Sequence, residues 1–240
     1  GARSSTVRLS PRFLRVEDAE VDLAQGEEVH PVAESVTAGF QVLRGVVLCL
    51  AATGMDAVTH CIESVLSPTV NPPAEGIAYE GVFRAVGNGW LKKAVKDGSD
   101  ADARWHMMMA SYEGALAFVK GLGGVHALSH AAGRLHDKRL HHGTLNAIFL
   151  PHILRFHEGS ADEKYVRLRQ AMGLKPGADL GDAIAELNAD IGIPATLSAI
   201  GLSADDAPGV VEYALKDLAH FGNPKPMSAD DYAKVYEAAL

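Results

Sequence analysis

From residue 51 onward, apolar residues recur at the spacing of three and four positions that marks one face of an amphipathic helix. In the stretch TGMDAVTHCIESVL these positions are Met55, Val58, Ile62, Val65 and Leu66. The segment Ser67–Pro73 follows with three prolines, which cannot continue a helix. The pattern therefore predicts a helix that ends before Ser67.

Similar helical patterns continue between glycine and proline turns. A second predicted helix covers AEGIAYEGVFRAVGNGWLKKAVKDG and is weakened by Gly87 and Gly89, because glycine disfavours a helix interior. A third, ADARWHMMMASYEGALAFV, is apolar over most of its surface, which predicts a central position in the fold. After the break KGLGG, the segment TLNAIFLPHILRFH predicts another buried helix, kinked at Pro151.

Helical segments also fill the C-terminal third, and none of them alternates like a strand. The last one follows Ser228 and Asp231, a pair that predicts a capping box with Asp in place of Glu. We therefore predict a mainly α-helical domain over residues 51–240. Residues 1–50 have weaker periodicity, which predicts short strands or loose helices and leaves that segment unassigned.

Composition and charge exclude several classes of partner. The 240 residues carry a formal net charge of −8 without a dense run of Lys or Arg, so we expect neither nucleic acid nor a membrane surface. The longest apolar stretch, Gly45–Met55, is shorter than the roughly 20 residues that span a bilayer. Only Cys49 and Cys61 are present, and no secretory signal is visible, which together predict a cytoplasmic location.

Two pairs of polar residues interrupt the apolar helices at a spacing of one helical turn. Asp56 and His60 form the first pair, and His126 and His130 form the second. Either pair alone is typical of a local hydrogen bond. Together with the motif HHG (His141–Gly143), they supply three or four nitrogens and one carboxylate oxygen, a donor set suited to Fe²⁺ or Zn²⁺.

The neighbours of these pairs argue against hydrolytic zinc chemistry. Zincin metalloproteases place a catalytic Glu directly after the first His of the pair, and here that position is Ala127. A metallohydrolase is therefore a distant alternative. The other histidines are interpreted as a core residue (His106), as helix-surface or helix-end residues (His152, His157, His220) or as solvent-exposed residues (His136, His141).

Several residue strings resemble the iron-containing (group III) alcohol dehydrogenases. They are AATGMDAVTHCIES (Ala51–Ser64), KGLGGVHALSH (Lys120–His130), HHGTLNAIFLPHILRF (His141–Phe156) and NPKPMSADDYAKVYEAAL (Asn223–Leu240). They stand in the family's order across residues 51–240. HCIESVLSPTVNPPAEGIA and LHHGTLNA are most similar to the 4-hydroxybutyrate dehydrogenase branch. The resemblance implies a helical metal-binding catalytic domain.

The resemblance also implies the residues of the site. The positions that match the family's metal ligands are Asp56, His60, His126 and His142. His141 stays an alternative to His142, because the spacing from His126 is longer than in many relatives. His130 matches a residue beside the nicotinamide and the substrate, where it would relay a proton. The implied reaction moves a hydride between a small alcohol and NAD(P), while Fe²⁺ or Zn²⁺ polarises the oxygen.

The sequence departs from the family in its first part. Relatives carry an N-terminal α/β dinucleotide domain with a GGGS turn and a later GTGSE-type segment, and neither motif occurs in these 240 residues. We therefore predict that this domain is largely missing, with weak or no NAD(P) binding by this chain alone. The chain begins with Gly rather than Met, which fits a fragment. Because relatives commonly dimerise, a homodimer is predicted.

Two functions from different classes follow. The first is a metal-dependent alcohol dehydrogenase acting on a small alcohol or an ω-hydroxy acid such as 4-hydroxybutyrate. A hydroxy acid needs a cation for its carboxylate, and the candidates are Lys120 and Arg139, with Arg134 and Lys138; each is explained equally well as solvated surface charge. The second function is a truncated, catalytically inactive metal-binding domain that serves as an assembly partner or remnant.

Overall fold

The first described helix is long and crosses the boundary predicted after residue 50. The computed structural model describes residues 31–240, with side chains from residue 47 onward. Helix α1 runs from Pro31 to Leu66, so residues 31–50 are helical. The chain divides into two units, Gly1–Gly39 and Phe40–Leu240, and all side chains described belong to the second. The predictions for residues 1–30 lie outside the described residues.

The described residues form α-helices joined by 3₁₀ turns and one π-helical stretch. After α1 come α2 (Pro72–Val82), α3 (Trp90–Lys96), α4 (Ala101–Ala117), α5 (Gly124–Gly133), α6 (His142–His157), α7 (Asp162–Ala171), α8 (Leu180–Asp190), α9 (Ala207–Ala214) and α10 (Ala229–Ala238). No strand occurs in residues 31–240. The prediction of a mainly α fold is confirmed.

Helix α6 lies at the centre of the core, as predicted for a buried helix. It packs against α5, α8 and α10, and most of its side chains are buried. Phe149 and Leu150 are fully buried, and Pro151 lies inside the helix without ending it. The apolar face of α1 joins the same core through residues such as Met55 and Ile62.

The second predicted helix is divided into separate elements. Helix α2 passes into the π-helical stretch Phe83–Gly87, and α3 begins only at Trp90. Two residues separate them, and the second, Gly89, has a φ of 69°, in the left-handed region that favours glycine. The prediction of one continuous helix was therefore wrong, because Gly89 reverses the backbone instead of merely weakening the helix.

Helix α4 is not central, which corrects the prediction from its composition. Its buried residues are all small: Ala103, Ala110, Gly114 and Ala117. Its large apolar side chains face outward, with Met108 62% and Tyr112 60% exposed. A Cβ on Gly114 would lie 3.0 Å from the Cβ of His60, so the small residues bring α4 close to α1. The apolar composition of α4 does not correspond to burial within the described residues.

The final helix begins as its sequence predicts. Ser228 accepts a hydrogen bond from the amide of Asp231, and the Asp231 carboxylate accepts one from the amide of Ser228 at 2.8 Å. This reciprocal arrangement is the capping box, with Asp in place of Glu. The prediction is confirmed.

No helix in the described part of the chain is both long and apolar enough to cross a membrane. Even α1, with 36 residues, is not apolar enough over the length that a bilayer crossing requires.

Candidate metal centre

Three helices bring the four predicted metal ligands together. Asp56 and His60 lie one turn apart on α1, His126 lies in the first turn of α5, and His142 begins α6. Ligand atoms of Asp56, His60 and His126 lie within 4.8 Å of one another. His142 Nε2 lies 3.5 Å from Asp56 Oδ1, and His126 Nε2 lies 3.7 Å from the same oxygen.

The start of α5 is held by residues from other parts of the chain. No side chain caps the helix at Gly123, so the first amide groups need acceptors elsewhere. The Asn223 Oδ1 accepts from the amide of Gly124 at 2.8 Å, and Glu63 Oε1 accepts from the amide of Val125 at 2.8 Å. These bonds fix the turn that carries His126.

Glu63 also orients the ring of His126. The His126 Nδ1–H donates to Glu63 Oε2 at 2.6 Å, and both side chains are buried. A carboxylate on one imidazole nitrogen fixes the tautomer and leaves the other nitrogen as the ligand. Glu63 thereby directs His126 Nε2 toward Asp56.

The start of α6 lies unusually close to α1. A Cβ on Gly143 would come within 2.2 Å of the carbonyl oxygen of Ala52, so only glycine allows this approach. The adjacent His142 donates from Nδ1 to Ser129 Oγ at 3.3 Å, because that hydroxyl itself donates to the carbonyl of His126. His142 Nε2 is thus left facing Asp56.

The charges of the site favour a cation. Burial raises the pKa of Asp56, but the neighbouring imidazoles outweigh it and hold that pKa at about 2. Burial lowers the pKa of His126, yet the carboxylates of Asp56 and Glu63 raise it to about 9. Burial and the charge of His126 lower the pKa of His60, and burial lowers that of His142 to about 4. Two carboxylates therefore face one imidazolium and two neutral imidazoles.

Asn146 lies among the ligand atoms. Its Nδ2 is 2.7 Å from Asp56 Oδ1, 3.1 Å from His142 Nε2 and 3.2 Å from His126 Nε2. Its Oδ1 is buried and has no hydrogen-bond partner among the described residues. Asn146 was not predicted from the sequence, although it lies one helical turn after His142.

His130 lies at the exposed edge of the ligand set. Its ring stacks on that of His142 with centroids 5.2 Å apart. His130 Nδ1–H donates to Asp217 Oδ2 at 3.0 Å, which leaves Nε2 as the acceptor. A small cleft beside it is lined in part by Arg134 and Lys216.

The predicted substrate cations lie in different surroundings. Lys120 is buried and donates to Glu75 Oε2 at 2.8 Å, so its ammonium belongs to an internal ion pair. The predicted contact of Lys120 with a substrate carboxylate therefore has no support in the structure. Arg139 is exposed, with a φ of 47°. Lys138 donates to the carbonyl of Gly201 at 2.9 Å.

The remaining histidines largely follow their interpretation. His136 and His141 are exposed, and His142, not His141, lies beside Asp56. His106 is only partly buried and stacks on Trp90, with ring centroids 4.1 Å apart. His152, His157 and His220 were predicted at helix surfaces or helix ends. His152 and His220 are partly buried, and His157 lies at the end of α6 but is buried.

Three residues around the site were missed from the sequence: Glu63, Asn146 and Asp217. Glu63 lies seven residues after Asp56, and therefore on the same helical face, which is a signal that the spacing contained. Asn146 lies four residues after His142 and therefore on the same face of α6. Asp217 lies 87 residues from His130, and no local pattern connects them.

The donor set fits a divalent metal ion. One carboxylate and three imidazoles are ligands that Fe²⁺ and Zn²⁺ accept, and Glu63 supplies the outer carboxylate that such sites commonly contain. The Oδ1 of Asn146, on the same side chain as the Nδ2 that contacts these groups, is buried and has no hydrogen-bond partner among the described residues. The chemistry of these residues suits polarisation of a substrate oxygen.

Comparison with known proteins identifies the family of the chain. Residues 50–240 match the family described as Fe-containing alcohol dehydrogenase, C-terminal. The chain is 48% identical over 197 residues to a 4-hydroxybutyrate dehydrogenase of Cupriavidus necator, covering 79% of this chain and 51% of that protein. It is 37% identical to a 1,3-propanediol dehydrogenase of Citrobacter freundii, with 79% and 50% covered.

Solved structures show the same relationship. A 1,3-propanediol oxidoreductase has a TM-score of 0.74 and 36% identity, over 79% of this chain and 51% of that one. An alcohol dehydrogenase from Oenococcus oeni has a TM-score of 0.73 and 30% identity, over 80% and 51%. The chain spans about half the length of the relatives that it matches.

Proposed function

The chain belongs to the Fe-containing alcohol dehydrogenase family, and from this premise we propose that it supplies the metal-binding half of an NAD(P)-dependent oxidoreductase. The reaction interconverts a small alcohol or ω-hydroxy acid, such as 4-hydroxybutyrate, and its aldehyde. The observation that carries the proposal is the convergence of Asp56, His60, His126 and His142 from three helices onto one polar site.

The metal site has a chemical purpose under this proposal. Asp56 and the three histidines hold Fe²⁺ or Zn²⁺, which supplies Lewis-acid polarisation of the substrate oxygen. NAD(P) supplies the hydride acceptor. In oxidation, the bond from hydrogen to the carbinol carbon breaks with its electron pair, and the hydroxyl proton must leave separately.

His130 is the residue that we propose for this proton. Its Nδ1–H is held by Asp217, so the acceptor Nε2 can take the hydroxyl proton and pass it to solvent. The exposed edge of the ring gives the proton a route out of the site. Asp217 stabilises the imidazolium that forms, because the two groups are in hydrogen-bond contact.

The proposed substrate class depends on Arg134, the residue one turn beyond His130 at the C-cap of α5. His126, His130 and Arg134 succeed one another at intervals of four residues, so they share one side of the helix. The Arg134 guanidinium lies over the ring of Tyr213, with Cζ 4.2 Å from the centroid, in the cleft beside His130. We propose that Arg134 binds the carboxylate of an ω-hydroxy acid.

A paired substrate comparison tests the role of Arg134. Arg134→Gln should raise KM for 4-hydroxybutyrate about tenfold, the loss of roughly 1.4 kcal/mol of binding, and leave KM for 1,4-butanediol unchanged. The matched variant Lys138→Gln removes a nearby cation that is engaged with Asp206 and should change neither. Equal effects of Arg134→Gln on the acid and the diol would contradict the assignment.

Metal analysis and turnover test the function as a whole. We expect about one Fe²⁺ or Zn²⁺ per chain, lost in the Asp56→Ala variant and kept in His136→Ala, whose ring is exposed. We expect little or no reduction of NAD⁺ or NADP⁺ with 4-hydroxybutyrate by this chain alone, and metal-dependent reduction when a dinucleotide-binding domain of the family is joined to it.

The same measurements distinguish the enzyme from the second proposed function, an inactive metal-binding domain. A chain that binds metal but turns over no alcohol in either form is the inactive metal-binding domain, an assembly partner or remnant. A chain that binds no metal overturns both functions. We retain a cytoplasmic location and a homodimer as parts of the proposal. Sedimentation would measure the oligomeric state.

A further inference from the structure

The outward face of α4 carries a row of large side chains that no described part of the chain covers. The row consists of Trp105, Met108, Tyr112, Leu116 and Val119, the last in the 3₁₀ turn that follows α4. Their exposed fractions lie between 41% for Leu116 and 67% for Val119. Single exposed apolar residues are ordinary on a protein surface, whereas a continuous row of them is typical of an interaction site. We call these five residues the α4 row.

The α4 row has the spacing by which helices pair with one another. Its members follow at steps of 3, 4, 4 and 3 residues, which keeps them on one side of a helix. Trp105, Tyr112 and Val119 are each seven residues apart, the repeat with which two packed helices keep their contact faces together. The spacing therefore favours another helix as the partner.

The spacing is also the same in both directions from Tyr112. Met108 and Leu116 lie four residues on either side of it, and Trp105 and Val119 lie seven residues on either side. Such a row is complementary to itself when a second copy runs antiparallel, because residue i then meets residue j and j meets i, as a two-fold axis requires. In that register the largest side chain, Trp105, meets the smallest, Val119, which suits close packing. The sequence of α4 thus favours a second copy of this chain as the partner.

Electrostatics favour the same arrangement. Between Trp105 and Val119 the only Asp, Glu, Lys or Arg is Glu113, and its Oε2 accepts a hydrogen bond from Arg84 Nε at 3.2 Å. The α4 row therefore brings no unpaired charge into an apolar contact, which would be costly. Antiparallel helices also place the positive end of each helix dipole beside the negative end of the other.

The area of the α4 row is of the order that a reversible dimer needs. Trp105 and Tyr112 are at least half exposed, and a large aromatic side chain can bury roughly 150–250 Å². With the three aliphatic side chains, the row offers on the order of 500 Å², more than half of the roughly 800 Å² that each partner of a standard interface buries. This area predicts a dimer that forms at micromolar concentration and dissociates on dilution.

We propose that the α4 row is the interface of a homodimer, in which α4 pairs antiparallel with α4 of a second copy about a two-fold axis at Tyr112. The inference rests on the proposed function only for the existence of a homodimer, and it is independent of the metal site. Because dimerisation depends on concentration, the pairing stabilises the concentrated protein and contributes nothing to the unfolding of a dilute, monomeric chain.

Cross-linking of single cysteines tests the register of the two helices. A Cys49→Ser background removes the exposed native thiol, and the other native thiol, Cys61, is buried. Tyr112→Cys should give a cross-linked dimer with a short bis-maleimide, because the two copies of residue 112 meet on the axis. Trp105→Cys alone should not, since its two copies lie about 20 Å apart along antiparallel helices. Trp105→Cys combined with Val119→Cys should restore the cross-link. Equal yields from the two single variants would overturn the antiparallel pairing.

Sedimentation at several concentrations tests whether the α4 row is the interface. The unmodified chain should dimerise with a micromolar dissociation constant, and Met108→Glu should raise that constant at least tenfold, because the pairing would bury a carboxylate without a partner. Val166→Glu is the matched control, since Val166 is 50% exposed on α7, outside the row, and this variant should dimerise like the unmodified chain.

The outcomes separate this inference from the proposed function. A dimer that Met108→Glu leaves intact would overturn the α4 interface and keep the homodimer. A chain that stays monomeric up to about 1 mM would overturn both the interface and the homodimer. Metal content, measured on the same samples, reports on the metal-binding function alone, and a monomer that binds one metal ion per chain would leave that function standing.

Discussion

Helices α4 and α6 both have apolar sequences, yet they occupy opposite environments. Along α6 the large side chains, among them Phe149 and Leu150, are fully buried. Along α4 the buried residues are all small, and Met108 and Tyr112 are exposed. A hydrophobic sequence therefore indicates what a helix can bury, and the size of the residues on each face indicates which side actually meets a neighbour.

The two helices also contribute to the metal centre in different ways. Helix α6 carries the predicted ligand His142 and, one turn later, Asn146, whose Nδ2 lies 3.1 Å from His142 Nε2. Helix α4 supplies no predicted ligand, but its Gly114 lies against His60 and lets α4 cover that part of α1. Helix α6 thus contributes side chains to the candidate site, whereas α4 contributes a small residue that lets it pack closely against α1.

The largest expected difference between α6 and α4 is in the cost of removing a large side chain. Phe149→Ala in α6 should lower the free energy of unfolding by about 3–5 kcal/mol, because it leaves a cavity in the packed interior. The matched change Tyr112→Ala in α4 should cost no more than about 0.5 kcal/mol, since the side chain is exposed. Denaturant unfolding measures both, and similar losses would contradict the assigned environments.

Acid should reveal a second difference, at the buried end of α6. Burial lowers the pKa of His157 to about 4, and its Nδ1 has no partner among the described residues. The unfolded chain, with a pKa near 6.5, binds the proton more readily. Stability should therefore fall as the pH drops from about 6.5 to about 4, by up to about 3 kcal/mol, and not change from this source above that window.

His157→Gln is the variant that isolates this effect. Its amide can still donate to Asn223 Oδ1, as His157 Nε2–H does at 2.9 Å, but it does not titrate. The difference in unfolding free energy between the two proteins should shrink below pH 6.5. A constant difference across pH 4–7 would show that His157 is not the responsible group.

A smaller effect compares the glycines by which α6 and α4 approach α1. A Cβ at Gly143 would lie 2.2 Å from the backbone oxygen of Ala52, whereas one at Gly114 would lie 3.0 Å from the Cβ of His60. Gly143→Ala should cost about 2 kcal/mol and weaken metal binding, because overpacking displaces His142. Gly114→Ala should be nearly neutral, as helix propensity offsets the tighter contact. Thermal unfolding and metal titration would contradict this if the order were reversed.

The sequence predicted the parts of the fold that local pattern controls. The helical spacing indicated α1 around Asp56 and His60, and the end of that helix at the prolines. The buried character of α6 and the capping box at Ser228 followed from local sequence as well. The four metal positions came from spacing combined with family resemblance, and the structure places their side chains together.

What the sequence did not predict depends on contacts between distant residues. The exposure of α4 could not be derived from its composition, because composition does not say which face meets a neighbour. The bonds of Asp217 to His130 and of Asn223 to Gly124 join residues 87 and 99 positions apart. Glu63 is different, since the helical face of Asp56 already contained it.

The first amides of α5 donate to side chains that are distant in sequence, which affects when the turn of His126 can form. The bonds that fix the turn of His126 come from Glu63, 62 residues before Val125, and from Asn223, 99 residues after Gly124. Closing such long segments is entropically costly and slow compared with forming a helix. During synthesis, Asn223 leaves the ribosome 99 residues after Gly124. The candidate metal site therefore reaches its final geometry only after Asn223 has been made, well after its four predicted ligands.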